Sequence, residues 1–124
     1  MKTKIETKKA PAAIGPYSQA IVADNLIFVS GQLAINPADG QMPETIEEQT
    51  YQSLTNIKNI LEEADSSMDK IVKTTVLLSD INDFAKMNEV YATFFNDAAP
   101  ARACYQVAAL PKNGLVEIEA IAIK

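Results

Sequence analysis

The sequence predicts an α+β fold: a six-stranded mixed sheet with two helices on one face, in the order β-β-β-α-β-α-β-β. Three observations predict it. Short apolar runs rich in branched residues are separated by turn residues. Two longer stretches carry apolar residues at helical spacing behind capping residues. No repeat or low-complexity tract interrupts the 124 residues, which fit a single domain spanning residues 1–124.

The first elements are strands. A short one is expected near Thr3–Thr7. Ala20 to Ser30 holds two apolar runs split by Asp24-Asn25, a pair that tolerates a tight hairpin turn. The stretch Asn36-Pro37-Ala38-Asp39-Gly40-Gln41-Met42-Pro43 is dense in turn residues. Thr45 and Glu48 behind it form a capping box that should start a helix. From Ile46 to about Ala64, Leu54, Ile57, Leu61 and Ala64 recur on one face, so that face is buried.

Residues 70–79, with Ile71, Val72, Thr74, Thr75 and Val76, predict a central strand, after which Asp80 or Asn82 caps a second helix. Phe84, Met87, Tyr91, Phe94 and Phe95 line one stripe of that helix and are expected in the core, and Pro100 bars any continuation. Two strands, 102–109 and 115–123, close the chain. Two helices cover only one face of such a sheet, yet several strands carry apolar side chains toward both. Self-association is the economical cover for the second face, so a homo-oligomer is expected.

Composition narrows function. The net charge is −5 and the pI is near 4.6, which disfavours nucleic acid as a partner because phosphate binding depends on Lys and Arg. No apolar run is long enough to span a bilayer and the start has no secretory pattern, so a cytoplasmic protein without a membrane partner is expected. One cysteine and no histidine leave no internal disulfide and none of the usual zinc ligand sets, so no metal or cofactor is expected.

Few residues are then left to carry chemistry. Ten of the eleven basic residues are lysines, and the single arginine, Arg102, starts an apolar strand. Its planar fork suits a carboxylate held by two hydrogen bonds; a structural ion pair or an exposed edge position is the alternative. Cys104 shares its face under strand alternation. With no histidine to activate the thiol, a small buried side chain whose backbone N–H helps bind an anion fits better than a nucleophile.

Glu117 and Glu119 project to one face of an otherwise apolar strand. Glu119 is expected to pair with Lys73 or Lys112, across strands or across subunits. Glu117 is assigned to orient a water as general acid and base. Near the N-terminus, Gly15-Pro16-Tyr17 forms a loop with an aromatic ring, and Gly31 in Ser30-Gly31-Gln32 either eases a turn or lets a ligand approach the backbone.

Ala10-Pro11-Ala12-Ala13-Ile14-Gly15-Pro16-Tyr17-Ser18-Gln19, Ser30-Gly31-Gln32, Pro100-Ala101-Arg102-Ala103-Cys104 and Val116-Glu117-Ile118-Glu119-Ala120-Ile121-Ala122 together resemble the Rid family, also called YjgF or reactive intermediate deaminase A. The resemblance runs from about Ala10 to Lys124. It implies a chorismate-mutase-like homotrimer with active sites in the clefts between subunits. It also implies hydrolysis of 2-iminobutanoate and 2-iminopropanoate, products of pyridoxal-phosphate dehydratases, to 2-keto acids and ammonia. On this resemblance the catalytic residues fall on Arg102 and Glu117, and the substrate contacts on Arg102, Cys104 through its backbone, Tyr17 and Gly31. The rival functions are a non-catalytic sensor of keto or amino acids and an RNA-cleaving translation inhibitor, the latter opposed by the acidic pI and the missing histidines.

Overall fold

A computed structural model describes residues 1–124. In chain order the elements are β1 (Lys2–Ile5), β2 (Ala20–Ala23), β3 (Leu26–Leu33), α1 (Ile46–Glu63), β4 (Ile71–Leu78), α2 (Phe84–Ala92), β5 (Ala101–Gln106) and β6 (Val116–Ile123). The strands form one sheet in the order β1-β2-β3-β6-β4-β5, antiparallel except for the parallel pair β4–β5. This is the expected six-stranded mixed sheet with two helices.

The β2–β3 hairpin turns on Asp24, which takes a left-handed backbone (φ 54°) that aspartate tolerates better than most residues. α1 begins as expected: the Glu48 N–H donates to Thr45 Oγ1 at 3.1 Å, and the Thr45 hydroxyl donates to the Glu48 carboxylate at 3.0 Å. The segment before α2 is a 3-10 turn, Ile81–Asp83, capped by Asp80, whose carboxylate accepts from the Asn82 N–H at 2.9 Å. α2 stops at Ala92, so Phe94 and Phe95 lie beyond it rather than within it; they pack against Tyr51 and Tyr91 with ring centroids 5.5 and 4.8 Å apart.

α1 lies across β3 and β6 and packs against α2. Leu54, Ile57, Ile60 and Leu61 are buried against Ile27, Val29, Val76, Leu78, Val116 and Ile118 in one core. Along β6 burial alternates: Val116, Ile118, Ala120 and Ala122 face the helices, while Glu117, Glu119, Ile121 and Ile123 face the other way. That opposite face has no helix over it and also carries Phe28, with Tyr105 toward the β5 edge; Phe28, Tyr105 and Ile123 are each at least 40 % exposed. No helix is long and apolar enough to cross a membrane.

Polar residues set into the buried stripe of α1 do a second job. The Ser53 hydroxyl donates to the Gln32 carbonyl at 2.7 Å, and Asn56 Nδ2 donates to the carbonyls of Leu33 and Ile35 at 3.1 and 2.9 Å. These carbonyls follow an irregularity in the β3–β6 pairing between Val29 and Gln32, where the ladder is interrupted. The helix thus ties down the backbone at the end of β3, just beyond Gly31.

Candidate active site

Tyr17, Gly31 and Glu117 meet in one cleft of about 710 Å³ on the side of the sheet away from the helices, together with Ile14, Ser30, Lys112 and Glu119. It adjoins a wider depression of about 950 Å³ along the N-terminal loop, with Ile14, Tyr17 and Lys112 lining both. The loop is held from behind by Gln19, which is 2 % exposed. Its side-chain oxygen accepts from the Thr7 N–H at 2.7 Å, and its Nε2 donates to the carbonyls of Thr7, Ala10 and Pro11. Ser30 Oγ donates to the Ser18 carbonyl at 2.6 Å, clamping the other end. Gly15, at φ 120°, turns the chain into Tyr17 in a conformation that only glycine adopts readily.

Gly31 is glycine for a different reason. A Cβ at that position would sit 2.8 Å from Glu117 Oε2 and 3.0 Å from its Cδ, closer than carbon atoms can approach. Gly31 has no left-handed backbone of the kind a glycine turn would need, and the group lying against it within the chain is the Glu117 carboxylate. That carboxyl is half-buried and its pKa is raised, first by burial and second by the neighbouring charge of Glu119. Within the chain Glu119 pairs with neither Lys73 nor Lys112. The ion pairs of the chain are Lys4–Glu6 and Lys58–Glu62, and Lys73, Lys112 and Glu119 are all exposed.

Arg102 and Cys104 lie elsewhere. They are in register with Thr74 and Val76 of β4, both fully buried beneath the helices, so their side chains occupy the helix side of the sheet. Glu117 is in register with Leu77, on the opposite side. Within one chain the two expected catalytic residues therefore cannot meet, because they project through different faces with β4 between their strands.

The Arg102 guanidinium rests over the rings of Tyr91 (4.8 Å to the centroid) and Phe84 (5.4 Å), and its Nη1 donates to Asn88 Oδ1 at 2.7 Å. It forms no ion pair. Of the two alternatives for this arginine, the structural ion pair within the chain is absent. Phe84 corrects the aromatic stripe: it is 37 % exposed and lies against the guanidinium instead of entering the core. The Tyr91 hydroxyl and Thr74 Oγ1 share a hydrogen bond of 2.7 Å beneath it.

Burial raises the pKa of the Cys104 thiol, with Arg102 pulling the other way, so the site disfavours the thiolate. β5 ends the sheet. The Val107 N–H donates inward to the Leu78 carbonyl at 2.9 Å, so strand alternation turns the N–H groups of Arg102 and Cys104 outward along the free edge.

Sequence reasoning missed Gln19, Asn88, Ser53 and Asn56. The two α1 residues were detectable as polar side chains on an apolar stripe; Gln19 and Asn88 gave no such signal. No three His, Cys, Asp or Glu side chains gather as metal ligands would.

Residues 7–124 match the endoribonuclease L-PSP family. The chain is 57% identical over 121 residues to the 2-iminobutanoate/2-iminopropanoate deaminase of Bos taurus, covering 97% of this chain and 88% of that one. It is 51% identical to the human protein of the same name, over the same shares. The solved structure of E. coli TdcF with bound serine matches with a TM-score of 0.95 and 45% identity over 98% of both chains. That of the E. coli YjgF gene product matches at 0.96 and 47%, again over 98% of both. With its sheet order, its helices and its matched length in agreement, the chain belongs to the endoribonuclease L-PSP family, whose members also bear the names Rid and YjgF.

Proposed function

We propose that the protein is a cytoplasmic enzyme that hydrolyses 2-imino acids, such as 2-iminobutanoate and 2-iminopropanoate, to 2-keto acids and ammonia. The observation that carries this is that the two residues suited to the chemistry, Arg102 and Glu117, are each left without a partner of opposite charge in their own chain. A guanidinium free of carboxylates suits the carboxylate of a substrate, and a half-buried carboxyl whose pKa is raised by burial and by Glu119 holds a proton more readily than a solvated glutamate, as a group that passes protons must. The deaminase names of relatives 51–57% identical support the same substrate class.

Since Arg102 and Glu117 project through opposite faces, the site is completed between copies of the chain: Arg102 and the Cys104 backbone from one, with Tyr17, Gly31 and Glu117 from the next. A homotrimer with three such clefts would also cover the open sheet face. In the cleft Arg102 grips the substrate carboxylate and fixes C2 of the imine beside a water held by Glu117. Glu117 takes a proton from that water as its oxygen bonds to C2 and the C=N electrons move to nitrogen. That proton passes to the nitrogen to give a carbinolamine, Glu117 then carries the hydroxyl proton to the amino group, and as the C–N bond breaks ammonia leaves and the C2 carbonyl forms. Such imines hydrolyse unaided, so positioning plus one acid-base group, worth roughly 100- to 10,000-fold, gives a useful rate.

The family's description also names an endoribonuclease. The net charge of −5 and the absence of histidine weigh against RNA as the substrate here. The test couples a threonine dehydratase to the protein and follows 2-ketobutanoate release. Release above the spontaneous rate that disappears with Glu117→Gln is expected; an unchanged rate with the wild-type protein would refute the proposal.

A further inference from the structure

Arg102 is held by a neutral amide where a carboxylate would be the stronger partner. Its Nη1 donates to Asn88 Oδ1 at 2.7 Å, the guanidinium lies on the Tyr91 and Phe84 rings, and no Asp or Glu reaches it. Asn88 sits one turn along α2 from Phe84 and three residues before Tyr91, so a single short helix supplies the ring cradle and the oxygen together. Tyr91 is itself fixed by its 2.7 Å hydrogen bond to the buried Thr74.

We propose that Asn88 is a positioning residue that orients the Arg102 guanidinium while leaving its positive charge uncompensated for the carboxylate of the ligand. The inference rests on the deaminase reading of the site and deepens it. An amide oxygen accepts one N–H and fixes the plane of the fork, and the two ring faces restrict its tilt without supplying a full negative charge. The remaining N–H groups stay available for a second, charge-assisted contact. An aspartate would keep the shape and the hydrogen bond but pair with the arginine and compete with the ligand. The selectivity for an anionic substrate therefore resides in the neutrality of residue 88 as much as in Arg102.

The test compares Asn88→Asp and Asn88→Ala with wild type, by kinetics in the dehydratase-coupled assay and by direct binding of pyruvate, a 2-keto acid. Asn88→Asp is expected to raise KM and weaken pyruvate binding by about tenfold or more, the scale of one hydrogen bond to a charged group, with kcat changed much less. Asn88→Ala is expected to raise KM by a smaller factor, since it loosens the arginine without neutralising it. Wild-type KM and pyruvate affinity in Asn88→Asp would overturn the proposal. So would a loss in Asn88→Ala equal to or greater than that in Asn88→Asp, because charge would then not matter. Arg102→Ala serves as the control that separates this inference from the reading beneath it. If Arg102→Ala keeps full activity, the deaminase site is misassigned; if it is inactive while Asn88→Asp behaves as wild type, only the role of Asn88 fails.

Discussion

Glu117 and Gly31 lie against one another at the cleft, and each explains the other. With 2.8 Å between the position of an added Cβ and Glu117 Oε2, Gly31→Ala must displace the carboxylate. A loss of about 1–3 kcal/mol in stability, together with lost imine hydrolysis, is expected from denaturant titration and the coupled assay. The pKa of Glu117 gives a second prediction. Burial first and Glu119 second raise it, so the folded chain keeps this proton at pH values where the unfolded chain has released it. Stability contributed by this group is therefore present at low pH and is lost as pH rises from the ordinary glutamate range, near about 4.3, through the raised native value. Melting temperatures across that window should fall more steeply for wild type than for Glu117→Gln; parallel curves would show the carboxyl to be unperturbed. Arg102→Lys, which keeps the charge and loses the fork, should lose activity by about a hundredfold in the same assay.

At the scale of elements, legibility followed how local the cause was. The start of α1 could be read because Thr45 and Glu48 cap it within four residues, and Thr45→Ala should cost about 1 kcal/mol in denaturant titration without moving the site. The β2–β3 hairpin was equally plain, since Asp24-Asn25 sits at its turn. The end of α2 was not: the aromatic spacing runs on to Phe95, but the helix stops at Ala92, and Phe94 and Phe95 are placed by Tyr51 and Tyr91 through tertiary packing. Arg102, Glu117, Tyr17 and Gly31 stood out as residue types in context. Asn88 and Gln19 did not, because a polar residue on a helix or in a loop reveals its partner only once distant segments are brought together.

At the scale of the molecule, the sheet has one face under the helices and one face with Phe28, Ile121, Ile123 and Glu117 uncovered. The sequence foretold that imbalance from the number of helices and the apolar content of the strands. It could not foretell that Arg102 and Glu117 would leave through opposite faces, since strand alternation gives the face within a strand but not the register between β4, β5 and β6. That separation makes the account depend on assembly. Arg102→Ala and Glu117→Gln subunits should each be inactive alone, yet in the proposed trimer a mixture of both should regain one intact cleft, with Arg102 from one subunit and Glu117 from the other. Equal mixing with random exchange puts both kinds of subunit in about three quarters of trimers, each with one working site of three, so about a quarter of the wild-type rate should return. The decisive measurement is 2-ketobutanoate release by such refolded mixtures: recovery to about that level is the expected result, and no recovery in trimers shown to contain both subunits would contradict a site shared between chains.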